Sequence, residues 1–543
     1  MTTAPQGTAD ILLLALNATW EHASFGLRCL HAALDELASR ADILEVTVND
    51  RSADIVERVL QYDPTIVGLG VYVWNARESL EVVKLLKAVK PSLTVVLGGP
   101  EVSHETNYHE ILARADYVVT GEGEDVFREL CQKILSPKRM AETVGRPALP
   151  SNLLPVLSAG EEKTAQVGGV TIIAGGQPDL STVFQARSPY DLYTDDDLAK
   201  RVVYLEVSRG CPFRCEFCLS SLDERVRVFP LDAFLATLEK LLHRGLLRFK
   251  FVDRTFNLKL QDACQILDFF LERIRPGLFL HFEMIPDRLP EPLRTRLARF
   301  PPGCVQLEVG VQTLDEVVSA RISRRQDVEK LEENIRWLRA HTGVHLHMDL
   351  IAGLPGEDLA TFGRGFDQLF ALGPQEIQLG ILKRLRGAPI DRHTAAFGMK
   401  YSESPPYEVI ETSAMSFLTL QRIKRLARYF DLVHNSGRFV ATAGLLVTTS
   451  PFDQWLQFSD WLFQRAGATA GISLSRLSSY LLEYLVEQRG LDENTVRQHL
   501  EQDLGRSRVP GLPRRQGRHV GAADSNDAAA TARAARPTHS PPQ

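Results

Sequence analysis

Cys211, Cys215 and Cys218 lie within Ser208-Arg-Gly-Cys-Pro-Phe-Arg-Cys-Glu-Phe-Cys-Leu-Ser220, and their type and spacing suit them for chemistry. A C-x-x-x-C-x-x-C run puts three thiolates on one short loop, which suits three irons of a [4Fe-4S] cluster and leaves the fourth iron without a protein ligand. An iron left open can take a reacting molecule. A neighbouring fourth cysteine would close the cluster into an electron-transfer centre, but Cys264 and Cys304 are far along the chain. A zinc knuckle needs four N or S ligands, usually as paired short spacings, and no partner pair stands near this loop.

The elements that must position this loop follow from the hydrophobic pattern. From Arg201 to about residue 390, apolar strand runs at Val202 to Val207, Arg248 to Val252, Leu280 to Met284, Val305 to Val309, His345 to Ile351 and Glu376 to Leu379 alternate with helices. Leu231 to His243 and Gln261 to Ile274 are amphipathic examples of those helices. Six strand-helix units predict a partial (β/α)6 TIM barrel, whose functional groups gather on the loops at the C-terminal strand ends. Those ends carry Asp253-Arg254-Thr255, then Glu283, then Glu308 to Thr313 with Gln312, and finally Asp349 to Glu357 with Ile351. Arg321 follows on the helix after the fourth strand.

Ahead of the barrel, Ile11 to Leu16, Ile43 to Val48, Ile66 to Val73, Thr94 to Leu97 and Tyr117 to Thr120 are apolar runs separated by amphipathic stretches such as Glu78 to Val89. The pattern predicts a doubly wound, Rossmann-like parallel sheet, with its ligand beyond the carboxyl ends of the strands where the strand order reverses. Those ends carry Asn17 to Trp20 with His22, Tyr72 to Asn75, Gly98 to Glu101 and Gly121 to Glu124. Glycines in two such loops let backbone approach a large ligand closely. A dinucleotide does not fit, because no G-x-G-x-x-G follows the first strand.

The cysteine motif, with Phe217 before its last cysteine, resembles that of the radical SAM enzymes, whose open iron holds the amino and carboxylate groups of S-adenosylmethionine. The preceding sheet resembles the cobalamin-binding domain of cobalamin-dependent radical SAM proteins, on Asn17, His22 and Ser24, Leu97-Gly98-Gly99-Pro-Glu101, and Gly121-Glu122-Gly123-Glu124. The D-x-H-x-x-G string of mutase-type domains is absent, so the resemblance implies cobalamin without a histidine lower ligand. It also implies Trp74 beneath the corrin, with Asn75 beside it. For S-adenosylmethionine it implies Asp253 on the methionine ammonium, Arg254 and Arg321 near the carboxylate, Gln312 on the ribose or substrate, and Ile351 at the adenine, with Glu283 facing the same mouth. The helical stretch from residue 400 to 505 resembles an extension of unknown function, found in the branch that also carries Phe-Val-Asp-Arg-Thr-Phe-Asn, and is read as closing the barrel mouth.

The activity implied is reductive cleavage of S-adenosylmethionine to a 5′-deoxyadenosyl radical, followed by methylation of an unactivated carbon from methylcobalamin. The alternatives are a non-methylating cyclase or oxidoreductase with the same cofactors, and a cobalamin-binding sensor. An external electron donor of the flavodoxin or ferredoxin type is implied as well.

Composition agrees with a large globular enzyme. The 543 residues carry a formal net charge of -6, which gives no nucleic-acid footprint. Seven cysteines, an odd number with three of them in one motif, do not resemble a secreted disulfide framework, which points to the cytoplasm. No run reaches the roughly 18 apolar residues of a membrane span. The organisation expected is a cobalamin domain at 1–140, a linker at 141–200, the radical SAM barrel at 201–395, helices at 396–505 and a disordered tail at 506–543.

Overall fold

A computed structural model describes residues 8–106, 110–136, 164–167, 169–184 and 186–506. The expected tail from residue 507 onward and the first part of the expected linker lie outside the described residues. By contact density the chain divides into two compact units. Among the described residues, the first unit lies within 8–210, 225–253 and 385–387, and the second within 211–224, 254–384 and 388–506.

The first unit is built on β1 (Ile11–Asn17), β2 (Ala41–Thr47), β3 (Ile66–Gly70), β4 (Thr94–Gly98) and β5 (Tyr117–Thr120), extended by β6 (Thr164–Val167) and β7 (Val170–Ala174). Their order is β2-β1-β3-β4-β5-β7-β6, parallel except for β6 against β7. Residues 11 to 16 of β1 are all buried, and the pleat sends them alternately to two cores. Leu12, Leu14 and Leu16 enter one, while Ile11, Leu13 and Ala15 enter the other. A strand buried on both faces reads as a continuous apolar run, the signature of a sheet covered by helices on both sides. The sheet continues past residue 140, because β7 pairs in parallel with β5 and β6 adds antiparallel to β7. Strand order reverses between β1 and β3, so the crevice lies where their C-terminal loops diverge.

This unit also holds β8 (Val203–Leu205), paired in parallel with β11 (Arg248–Phe251), and the short antiparallel pair β9 (Ser208–Arg209) and β10 (Arg227–Val228). β8 stops earlier than the run Val202 to Val207 suggested, since Asp253 takes the N–H groups of Val207 and Ser208.

The second unit contains the parallel strands β12 (Phe279–Met284), β13 (Val305–Gln312), β14 (His345–Ala352) and β15 (Glu376–Ile381). Burial alternates strictly along β13 and β14, so one face is apolar and the other polar. Glu308, His347 and Asp349 fall on the polar face, which the sequence pattern leaves hydrophilic. Beyond β15 come the hairpin β16 (Lys400–Tyr401) and β17 (Val409–Glu411) and helices at Phe417–Phe430, Pro451–Ala466, Leu474–Glu483 and Glu493–Arg506. Aromatic packing holds these helices together, with Trp455 edge-on to Phe430 at 4.8 Å and Phe458 edge-on to Tyr484 at 5.0 Å. No described helix is long and apolar enough to cross a membrane.

Candidate active site

Hydrogen bonds within the cysteine loop help to shape it. Cys211 N–H donates to Asp223 O at 2.8 Å, Cys218 N–H to Cys215 O at 3.1 Å, and Ser221 Oγ to Cys218 O at 2.6 Å. The three thiols are free, Cys215 is buried, and Phe217 beside them is half-buried. Burial pushes the Cys211 and Cys215 thiols up, while Arg324 opposes it at Cys215 by charge and hydrogen bond. The Arg324 guanidinium stands 3.6 Å from Cys215 Sγ and is anchored by Val311 O, Gly310 O and Gln326. An all-sulfur donor set with an N–H directed at one sulfur fits an iron-sulfur cluster, whose thiolates are tuned by such bonds. Cys264 and Cys304 are buried elsewhere in the unit, in the helix Leu260–Leu271 and beside β13.

Around this loop the second unit gathers several of the expected residues. Arg254 donates to Ser220 Oγ at 3.1 Å and faces Glu283 at 3.4 Å, so it links the cysteine loop to the end of β12. Gln312 ends β13 at a register shift, with φ 69° in the left-handed region that a residue with a side chain adopts at a cost of about 1–3 kcal/mol. Its Oε1 is buried and has no hydrogen-bond partner in the protein. An orphaned acceptor on strained backbone fits a site that awaits a donor such as a ribose hydroxyl. Half-buried Ile351 pairs in register with Gly380. Arg321 donates to Pro355 O at 3.1 Å and lies over the Phe397 ring at 5.0 Å. The arginine beside the cluster cysteines is Arg324, three residues further on.

Two carboxylates expected at the mouth differ in their surroundings. Asp253, in the first unit, is buried and accepts from Val207 N–H, Ser208 N–H and Ser208 Oγ, which holds the turn leading to the cysteines. Burial pushes its carboxyl up against those bonds. Glu308 meets His281 at 2.9 Å, while His347 stands 3.2 Å from Asp349 and 3.4 Å from Glu376.

In the first unit the crevice is organised by two hubs that the sequence did not single out. Glu45 accepts from Asn17 Nδ2 at 3.1 Å, Ser24 N–H at 2.6 Å, Arg28 at 3.0 Å and Arg201 at 2.5 Å. Burial drives its carboxyl upward, but the two guanidiniums overcome this and hold it at about 2. Arg209 pairs with Glu122 and Glu124, each at 2.7 Å, and with Glu206 at 3.0 Å; Arg227 also grips Glu122. Burial nevertheless pushes Glu206 to about 7, with Arg209 opposing. Asn17, Ser24 and Glu122 thus have polar partners within the protein.

Asn75 is fully buried. Its Oδ1 accepts Tyr72 N–H, and its Nδ2 donates to Leu16 O at 3.0 Å and Gly70 O at 3.1 Å, joining the ends of β1 and β3 across the point of strand reversal. This turn presents Trp74, 36% exposed, stacked on Tyr72 at 4.3 Å and 11°. Trp20, 48% exposed at the end of β1, lies under the Arg201 guanidinium. Exposed flat rings on both sides of a switch-point crevice fit a broad planar ligand. His22 is stacked on Tyr204, and its Nδ1 shares a hydrogen bond with the Tyr204 hydroxyl. Gly99 has φ 101°, and a Cβ there would stand 2.6 Å from Val71 O, so the β4 loop is held against the β3 loop. Gly98 continues β4, Gly121 is exposed with φ 70°, and Gly123 precedes the helix Glu124–Ile134.

Residues 11–131 match the B12 binding domain, residues 205–368 the Radical SAM superfamily, and residues 395–528 a protein family of unknown function, DUF4080. The cobalamin-dependent radical SAM methyltransferase TokK of Streptomyces tokunonensis is 25% identical over 412 residues, covering 65% of this chain and 54% of its own. An uncharacterized methyltransferase, PH0819, of Pyrococcus horikoshii is 26% identical over 316 residues, covering 56% of this chain and 64% of its own. The chain thus spans between about half and two thirds of the length of these relatives.

Among solved structures, the radical S-adenosylmethionine methyltransferase TsrM of Kitasatospora setae, with cobalamin and a [4Fe-4S] cluster bound, superposes with a TM-score of 0.59 at 17% identity over 85% of this chain and 99% of its own. The cobalamin-dependent S-adenosylmethionine radical enzyme OxsB, with aqua-cobalamin bound, gives 0.59 at 14% identity over 92% of this chain and 84% of its own. At such identities the likeness concerns the fold, and it is the expected one: a Rossmann-like domain, a partial barrel and a helical C-terminal region. The chain thus carries matches to a B12 binding domain, a radical SAM domain and a DUF4080 region in that order.

Proposed function

We propose that this chain is a cobalamin-dependent radical SAM enzyme that methylates an unactivated carbon. The observation that carries the reading is the loop of Cys211, Cys215 and Cys218, three free thiols with the Arg324 guanidinium on one sulfur. When bound, the cluster and cobalamin supply the electron that cleaves S-adenosylmethionine to the 5′-deoxyadenosyl radical and the methyl group for transfer. The chain's own residues bind, orient and shield. Arg254, tied to Ser220 and Glu283, orients the methionine end, and Gln312 Oε1 accepts from the ribose. Ile351 and the turn from Gly353 to Gly356 line the adenine side. Trp74 and Trp20 cover the corrin and exclude water from it. Asp253 acts by holding the turn that enters the cysteine loop. An external donor of the flavodoxin or ferredoxin type delivers the electrons, and free thiols at all seven cysteines suit the cytoplasm.

The test is anaerobic reconstitution with iron, sulfide and cobalamin, followed by reduction in the presence of S-adenosylmethionine. We expect 5′-deoxyadenosine, together with S-adenosylhomocysteine from methylation of the cobalamin, and loss of 5′-deoxyadenosine in Cys215→Ala. Release of 5′-deoxyadenosine without any S-adenosylhomocysteine would redirect the reading to a non-methylating enzyme, and release of neither would point to a sensor.

A further inference from the structure

The turn Pro389–His393, just ahead of the C-terminal region of unknown function, reaches the cysteine loop through one buried side chain. Glu216, between Cys215 and Cys218, is 3% exposed. Its N–H donates to Ile322 O at 3.0 Å, and its own carbonyl accepts Ile390 N–H at 2.9 Å. Its Oε1 accepts the Ser323 hydroxyl and the Arg392 guanidinium, and its Oε2 faces His393 Nε2 at 2.7 Å. Three of these partners lie in the single turn Pro389–His393. A carboxylate so fully occupied by its own protein is not available to iron.

The same stretch of chain touches a second loop. Phe397, whose N–H donates to His393 O, lies against the Arg321 guanidinium, and Arg321 in turn holds Pro355 O. Further on, the region seals strand β15. The Asn435 amide accepts from Ile377 N–H at 3.0 Å and donates to Ile377 O at 2.8 Å, and Val409 N–H donates to Leu382 O at 2.8 Å. Residues 389–397 are therefore joined on one side to the cysteine loop and on the other to the loop from Gly353 to Gly356, and the region that follows is fastened to the sheet itself.

We propose that residues 389–397, the segment leading into the region of unknown function, are a clamp that sets the conformation of the cysteine loop, with Glu216 as its positioning residue. A loop that must present three thiolates in one geometry needs neighbours that lock it. A buried carboxylate held by a guanidinium, an imidazole and a hydroxyl is such a lock, because removing it takes the acceptor from Ser323 and His393 and frees the turn in which His393 sits. The inference rests on the cluster reading above.

The experiment compares reconstituted wild type, Glu216→Ala, Glu216→Gln and the double variant Arg392→Ala/His393→Ala, with Arg465→Gln, in the helical region that follows, as a distant control. Iron and sulfide per chain, the electron paramagnetic resonance spectrum of the reduced protein, and the half-life of the visible absorbance under an iron chelator are measured. We expect Glu216→Ala and the double variant to lose the chromophore at least about fivefold faster with an altered spectrum. Glu216→Gln, which keeps an acceptor for Ser323 and Arg392, should be intermediate, and Arg465→Gln unchanged. Arg392 is largely exposed, so the double variant decides the matter if Glu216→Ala does not fold. Wild-type spectra and half-lives in the double variant would overturn the clamp. Wild type that takes up no iron would instead overturn the cluster reading on which it stands.

Discussion

Glu357 shows how one buried group departs from what its neighbours in sequence suggest. It follows the turn from Gly353 to Gly356 and lies almost wholly inside the protein, with Thr313 Oγ1 donating to Oε1 at 2.9 Å and Oε2 without a hydrogen-bond partner. Burial pushes its carboxyl from 4.5 to about 8, with Thr313 opposing, so it is protonated at neutral pH. The unfolded chain gives up this proton near 4.5 while the folded chain keeps it until about 8, so the group costs stability progressively as pH rises through that window. Glu357→Gln keeps the shape and removes the titration. Its melting temperature relative to wild type should therefore rise from pH 5 to pH 8, by the equivalent of a few kcal/mol at most. Parallel melting curves for the two proteins across that range would refute the assignment. Nothing in the string Gly353-Leu-Pro-Gly-Glu357 announces this, since the burial comes from residues distant in the chain.

At the scale of elements, the crevice depends on the loops after β1 and β3 being held together, and Asn75 does this with three hydrogen bonds to backbone. Asn75→Ala would leave Leu16 O, Gly70 O and Tyr72 N–H buried without these partners, at roughly 1–3 kcal/mol per unsatisfied group. The expected result is a loss of at least about 3 kcal/mol in denaturant unfolding and weaker cobalamin uptake. An unchanged midpoint would mean that the turn is held by Trp74 stacking instead. The strand positions were legible because alternation of apolar and polar residues, or an unbroken apolar run, is written locally. The role of Asn75 was not, because the sequence marks it only as a polar residue at a strand end, equally suited to a ligand. The same holds for Asp253, whose acceptors serve Val207 and Ser208 some 45 residues earlier. β6, β9, β10, β16 and β17 escaped the sequence reading because strands of two to four residues are too short to show a period.

At the scale of the whole molecule, the cysteine loop and the switch-point crevice fall in different compact units. Each should therefore load its cofactor alone. Cys215→Ala is expected to take up cobalamin as wild type does, followed by its visible spectrum, while Trp74→Ala keeps its iron and binds cobalamin about tenfold more weakly, the loss of one stacked aromatic contact of about 1.4 kcal/mol. Loss of iron in Trp74→Ala would show that the units do not load independently.

What the sequence alone determined is what neighbouring residues encode: the three-thiol loop, the doubly wound sheet, the strand-helix repeat and the helical C-terminal region. The tertiary structure decided which side chains meet. It put Arg324 on Cys215, Glu45 between Asn17, Ser24, Arg28 and Arg201, and Glu216 in the grip of Arg392 and His393, more than 170 residues away. The reason is physical. Backbone periodicity and turn chemistry act over a few residues, whereas the partner of a buried charge is chosen by whichever segments the packing brings beside it.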